Sequence, residues 1–240
     1  MKELFSRLET LKLNGFVLCD EKDALSKFEK YMAGILEWNE KVNLTSITDP
    51  KEFVLKHFLD SILIAEYPEY QQASRVIDVG TGAGFPGVPL AIISPEKEFV
   101  LMDSLRKRLN IVDELCGANE ITNVSTLHGR AEEVGKNKKL RESFDLCVSR
   151  AVANLSVLSE YCLPLVRVGG YFLSYKGPEG EKEASEAQKA IKVLGGSVVE
   201  CRRTELSKFG LDHRIIVIKK MSPTPSKYPR KPGTPSKEPL

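Results

Sequence analysis

Three glycines in five residues, Gly80, Gly82 and Gly84, follow the apolar residues Val76, Ile77 and Val79. Glycines placed this way at a strand end let backbone N–H groups come close to a ligand, because positive φ is open to them and no Cβ intervenes. Asp103 closes a second apolar run, Glu98-Phe-Val-Leu-Met-Asp103. In a doubly wound sheet such a carboxylate lies beside the loop after the first strand and can accept both hydroxyls of a ribose. It can equally cap the helix that Ser104-Leu-Arg-Lys-Arg108 would begin. A third run leads into His128-Gly-Arg-Ala-Glu-Glu133. There Glu132 can accept from the N6 amine of an adenine while the Ala131 N–H donates to N1, or the acids only favour a helix start. Arg150 follows a fourth run, at a strand tip where a guanidinium pairs with an anion, either a ligand's or a nearby acid's. Together these groups suit a nucleoside-bearing ligand.

The loop narrows the ligand further. It lacks the Gly-Lys-Ser/Thr ending of a P-loop, and Phe85 stands where the dinucleotide fingerprint needs its third glycine. The spacing Gly-x-Gly-x-Gly after Asp78 resembles the S-adenosylmethionine loop of class I methyltransferases, which implies that cofactor. The fourth strand's tip, Ser149-Arg-Ala-Val-Ala-Asn154, lacks the Asn/Asp-Pro-Pro-aromatic sequence usual in enzymes that methylate exocyclic amines. Methylation of a pyrimidine carbon needs a cysteine nucleophile. Cys147 falls inside a strand and Cys162 inside a helix, which marks both as buried thiols. An acceptor that is already nucleophilic remains, and a purine N7 fits, since its in-plane lone pair needs no deprotonation. Catalysis would then rest on alignment, which can supply ~7–11 kcal/mol. Arg150 is the positioning residue expected, and no general base is.

Elements must place these groups. From residue 75 onward strands and helices alternate, as a parallel α/β sheet requires. Strands are expected at 75–79, 98–103, 123–128, 144–149, 171–175, 197–203 and 214–219. A helix over 155–165 is expected to stop at Gly169-Gly170, and another over 181–194 at Gly195-Gly196. Residues 1–68 read as helical. Asp20 and Asp23 have capping-box spacing ahead of Leu25, Phe28, Met32, Ile35 and Leu36, and Asp49-Pro50 with Glu52 marks a second start. On that second helix His57, Asp60 and Ser61 would share a face, as a polar patch toward the site or a solvated face. Trp38 reads as a core or interface aromatic. The expected fold is α/β: a class I (Rossmann-like) methyltransferase with a seven-stranded, mostly parallel sheet, helices on both faces and an N-terminal helical extension. Its divisions are residues 1–68, 69–220 and a basic, proline-rich tail at 221–240.

Composition sets the outer limits. The chain has 240 residues, 42% hydrophobic, with a net charge of +2. No apolar run approaches the ~20 residues of a membrane span, and no signal-peptide core opens the chain. Five widely spaced cysteines without Cys-x-x-Cys argue against a disulfide framework or zinc site, so a metal-free cytoplasmic protein is expected. Six of the 13 prolines fall in the tail, which should be extended rather than helix or central strand. From Lys219 onward six Lys/Arg face one acid, +5 against +2 for the whole chain, which leaves a mildly acidic body. The tail's cations would contact phosphates, and Tyr228 would stack on a base or pack on the domain.

Taken together, Trp38-Asn-Glu-Lys-Val-Asn-Leu-Thr45, His57-Phe-Leu-Asp-Ser61, Asp78-Val-Gly-Thr-Gly-Ala-Gly-Phe-Pro-Gly87, Asp103-Ser-Leu-Arg-Lys-Arg108, Gly129-Arg-Ala-Glu132, Ser149-Arg-Ala-Val-Ala153 and Tyr228-Pro-Arg-Lys-Pro-Gly233 resemble the glucose-inhibited division protein B family. Those are the bacterial 16S ribosomal RNA guanine-N7 methyltransferases, and the resemblance covers nearly the whole chain. It implies methyl transfer from S-adenosylmethionine to N7 of one guanine, with 16S rRNA or a small-subunit precursor as partner. It implies cofactor contacts at Gly80, Phe85, Ala131, Glu132 and Arg150, beside those expected of Gly82, Gly84 and Asp103. Candidate RNA contacts are His57, Asp60, Lys107, Arg108, Arg230 and Lys231. The rival readings are a methyltransferase for another RNA or a small molecule, and a non-catalytic module that binds the cofactor.

Overall fold

Val76, Ile77 and Val79 are buried on both faces of a strand, and that strand belongs to a seven-stranded sheet. The computed structural model describes every residue except 15, 17, 19, 205, 207 and 208; Cys19 lies outside the described residues. The strands are β1 (Arg75–Val79), β2 (Glu98–Asp103), β3 (Val124–His128), β4 (Phe144–Arg150), β5 (Val166–Lys176), β6 (Gly196–Arg203) and β7 (Arg214–Lys220). Their order is β3-β2-β1-β4-β5-β7-β6. β1 and β4 run parallel, as do β2 and β3 and β4 and β5, whereas β7 is antiparallel to both β5 and β6. The expected sheet, mostly parallel with its last two strands close in sequence, is the one observed.

The chain divides into two compact units, Met1–Ser74 with Thr81–His128, and Arg75–Gly80 with Gly129–Leu240. In the first, α1 (Lys2–Leu13) buries Leu4, Leu8 and Leu11. The next helix, α2 (Glu21–Asn39), starts at Asp20, whose carboxylate accepts from the N–H groups of Lys22 and Asp23. Its buried stripe is Ala24, Phe28, Tyr31 and Ile35. Leu25, Met32 and Leu36 are only half-buried, so the helix is rotated from the expected face. The Tyr31 hydroxyl accounts for the rotation, because it donates to the Ala83 carbonyl at 2.9 Å in the core.

Asp49 caps α3 (Pro50–Phe53), accepting from Lys51 and Glu52 N–H. The helix does not continue regularly. Residues Val54–Leu59 widen into a π-helical turn and Ile62–Glu66 tighten into a 3₁₀ turn before α4 (Pro68–Gln71). The face expected for His57, Asp60 and Ser61 assumed 3.6 residues per turn, and the wider turn breaks it: Asp60 is 2% exposed and Ser61 is fully buried, while His57 is half-buried. α5 (Gly87–Ile93) and α6 (Arg106–Ala118) complete this unit. Trp38 is half-buried rather than core; its indole N–H donates to Glu114 at 3.3 Å and Lys41 lies over its ring.

In the second unit β5 begins at Val166, before the glycine pair expected to end the preceding helix. That helix, α8 (Leu155–Cys162), is shorter than the sequence suggests. A Cβ at Gly170 would sit 2.5 Å from the Asp145 carbonyl oxygen. The pair therefore serves close approach of two strands, with a register shift between Phe144 and Leu146. The expected helix over 181–194 is two short ones, α9 (Gly180–Glu186) and α10 (Gln188–Val193). A single turn, α7 (Ala131–Val134), follows β3 in sequence.

The tail is docked, and it ends in one helical turn, α11 (Thr234–Lys237), where an extended segment was expected. Tyr228 is buried. Arg141 holds the tail through carbonyls, its guanidinium donating to Tyr228 O at 2.9 Å, Thr224 O at 2.6 Å and Gly135 O at 2.8 Å. The buried Lys220 ammonium donates to Leu163 O, Val166 O and Thr224 Oγ1 and pairs with Glu142 at 3.0 Å. Burial holds its pKa below the usual lysine range, against the opposite pull of Glu142. Backbone carbonyls that would otherwise be buried without donors thus anchor the chain end.

Candidate active site

The glycine loop is built by its φ angles: +77° at Gly80, +60° at Gly82 and +87° at Gly84. The three glycines serve different ends. A side chain at Gly84 would strike the Tyr31 hydroxyl and Val88, and one at Gly80 would strike Val152, whereas one at Gly82 would meet nothing within 4 Å. Gly80 and Gly84 are therefore required by packing, and Gly82 by its backbone conformation alone.

In the first unit β2 holds the loop. Thr81 N–H donates to Met102 O at 3.0 Å. Asp103, 6% exposed, accepts Gly82 N–H at 2.9 Å on one oxygen and Leu105 N–H at 2.8 Å on the other. The carboxylate thus ties the loop to the start of α6 and keeps a further lone pair on each oxygen. Phe85, also buried, is pinned by rings. His57 stacks on it with centroids 4.4 Å apart and planes 2° from parallel, and Phe53 meets its edge at 5.8 Å. His57 Nε2 is bonded to Thr45 Oγ1 at 2.8 Å, and Thr45 N–H and Leu44 N–H donate to the Asn39 side chain at 2.9 and 2.8 Å. The polar stretch after α2 therefore supports the imidazole that backs Phe85. Tyr31, Asn39 and Thr45 had no site role in the sequence reading; the turn-forming Asn39 was the available signal.

Of the candidate RNA contacts here, Lys107 is exposed and Arg108 half-buried. Asp60, also expected to contact RNA, is 2% exposed. His57 is held between Thr45 and Phe85.

In the second unit Arg150 is the last residue of β4, in register with Tyr175 of β5. Ala151 follows at φ +57°, a left-handed conformation costing roughly 1–2 kcal/mol in a residue with a Cβ, of the kind stored at functional sites. No sequence signal marked it. Ala131 and Glu132 are buried on α7, Glu132 at 3% exposure. Glu132 Oε1 accepts the backbone N–H of Gly233 at 2.9 Å. Arg230 is half-buried. Its guanidinium grips Glu160, 1% exposed, through Nε at 3.0 Å and Nη2 at 2.7 Å, and its backbone N–H adds a bond of 2.7 Å. Lys231 is exposed. Cys147 and Cys162 are buried thiols, and burial, then the neighbouring Cys162, pushes the Cys147 pKa well up.

The family model described as rRNA small subunit methyltransferase G matches residues 24–208. The chain belongs to that family. A ribosomal RNA small subunit methyltransferase G of Clostridium novyi (strain NT) is 50% identical over 215 residues, which cover 90% of this chain and 88% of its own. The methyltransferase G of Alkaliphilus oremlandii (strain OhILAs) is 52% identical over 216 residues, 90% of each chain. Among solved structures, the O-methyltransferase from Bacillus cereus in complex with SAH aligns over 79% of this chain and 90% of its own, with a TM-score of 0.57 and 18% identity. At that identity the likeness is one of fold, a Rossmann-like sheet with helices. No helix of its described residues is long and apolar enough to cross a membrane.

Proposed function

We propose that this chain transfers the methyl group of S-adenosylmethionine to N7 of a guanine in 16S rRNA, acting in the cytoplasm on the rRNA or a small-subunit precursor. Membership of the methyltransferase G family carries this reading. The residues also suit the cofactor: a loop open at Gly82, and buried carboxylates at Asp103 and Glu132 with accepting capacity. When bound, S-adenosylmethionine supplies an electrophilic methyl group on a sulfonium centre.

The chain's own groups would do the rest. Gly80, Gly82 and Gly84 bring backbone close to the ligand, and Phe85 gives it an apolar wall kept in place by His57. Asp103 accepts from the ribose hydroxyls, Glu132 from the adenine N6 amine, and Ala131 N–H donates to N1. Arg150 positions the acceptor. Because N7 carries no proton, no residue has to remove one before attack, and alignment supplies most of the acceleration. Lys107, Arg108 and Lys231 would meet phosphates.

Incubation with methyl-labelled cofactor and separate pools of 16S rRNA, assembled small subunits, tRNA and protein tests the assignment. Label is expected in 16S rRNA at guanine N7; label confined to tRNA, protein or a small molecule would overturn it. Lys107→Gln and Lys231→Gln should each make the salt dependence of RNA affinity shallower, by about 0.7 in log–log slope per single-strand phosphate contact.

A further inference from the structure

The tail, expected to contact RNA, also reaches the carboxylate assigned to adenine. Glu132 lies in the first turn after β3, and Gly233, 101 residues later, donates its backbone N–H to Oε1 at 2.9 Å. The other oxygen has only Arg130 Nε, at 3.9 Å and beyond hydrogen-bond range. Glu132 is therefore a buried carboxylate with one oxygen anchored and the other with no hydrogen-bond partner among the described residues. A buried charge is tolerated only when donors satisfy it, and an exocyclic amine is a donor of the required kind.

Gly233 is fixed from both sides. Before it, Arg230 chelates Glu160 and Arg141 gathers the carbonyls of Thr224 and Tyr228. After it, Ser236 Oγ lies 2.8 Å from the Tyr161 hydroxyl. Gly233 has φ +83°, yet a Cβ there would meet nothing within 4 Å. Space does not demand glycine at this position; the turn that directs its N–H does.

We propose that the C-terminal strap is a positioning element of the cofactor site: Gly233 N–H fixes one oxygen of Glu132 so that the other is presented to the adenine amine. The inference rests on the reading of Glu132 as the adenine contact. It predicts that removing the strap impairs cofactor recognition, and does so through the amine in particular.

The test compares S-adenosylhomocysteine with its analogue carrying purine in place of adenine, by titration calorimetry on full-length chain and on a chain ending at Pro232. The shortened chain keeps Arg230, Glu160 and the Arg141 contacts, and its melting midpoint reports whether it is folded. Truncation should weaken S-adenosylhomocysteine at least about tenfold, the size of one charge-assisted hydrogen bond, and leave the analogue's affinity unchanged. An equal loss for both ligands would mean a merely structural tail, and no loss would mean no role; either overturns the proposal. Gly233→Ala keeps the whole tail and strains only this φ, so it should show the same amine-selective loss if the truncated chain fails to fold; unchanged selectivity in it overturns the proposal. Glu132→Gln in the full chain separates the two layers. If it leaves the preference for the amine intact, Glu132 does not read adenine, and assignment and strap fall together. If it abolishes a preference that the truncated chain retains, the assignment stands and the strap's role falls.

Discussion

Asp103→Asn is the most informative single change, because this side chain has a structural duty and a proposed ligand duty that can be measured apart. The carboxylate accepts two backbone N–H groups, Gly82 at 2.9 Å and Leu105 at 2.8 Å. An asparagine has the same shape but offers one accepting oxygen, so one of those N–H groups faces an NH₂ donor. Losing a hydrogen bond to a charged acceptor costs about 1.5–3 kcal/mol. For a chain of this length that lowers the melting midpoint by about 3–12 °C. The ribose contact is an additional loss of similar size, so affinity for S-adenosylhomocysteine should fall roughly 10- to 150-fold. Scanning calorimetry without ligand reads the first effect and isothermal titration the second. A lower midpoint with unchanged affinity would leave Asp103 as a loop tether and refute the ribose assignment. If neither quantity moves, the account of the loop is wrong.

Gly84→Ala should destabilise the fold strongly, since its methyl group collides with Tyr31 and Val88, whereas Gly82→Ala should cost only the left-handed backbone term of about 1–2 kcal/mol; equal melting midpoints for the two variants would contradict this. Thr45→Val removes the hydroxyl that holds His57 and should cost about 1 kcal/mol, with looser cofactor binding through Phe85; a pH–rate profile that loses a histidine-range ionisation in His57→Ala would instead make His57 a catalytic base. Arg150→Lys keeps the charge and loses the planar fork, so methyl transfer should drop steeply while the melting midpoint holds; full activity would assign Arg150 a structural role. Cys147→Ala should retain methyl transfer, because burial pushes that thiol well above the ordinary cysteine range and disfavours the thiolate nucleophile; inactivity with an intact fold would point to covalent attack on a pyrimidine.

The sheet was legible because β1 and β2 are short apolar runs closed by Gly80 and Asp103 and the later strands alternate with helical stretches, and each of the seven is found within a few residues of its expected span, apart from the longer β5. There a glycine pair reads locally as a helix stop, and only the neighbouring Asp145 carbonyl reveals that it admits a second backbone. The helical stretch from Pro50 to Glu66 has caps that are visible in sequence and turns that are not, because π and 3₁₀ turns depend on what the side chains pack against. The loop and its acid could be located from spacing. What Asp103 and Glu132 bond to could not, since Gly82 and Gly233 lie 21 and 101 residues away from them. Arg230 looked like a solvent cation because its acid, Glu160, is 70 residues earlier.

The position of β7 has a consequence for how the protein is made. β5 finds its second neighbour not in the next strand to be synthesised but in the one after it, and β6, among the described residues, pairs only with that same strand. Until Arg214–Lys220 has left the ribosome, one edge of β5, with Phe172, Leu173 and Tyr175, presents an open ladder to any other extended chain. A nascent or prematurely ended chain lacking residues 214–240 is therefore an aggregation hazard out of proportion to its missing length, because β7 is what covers that edge.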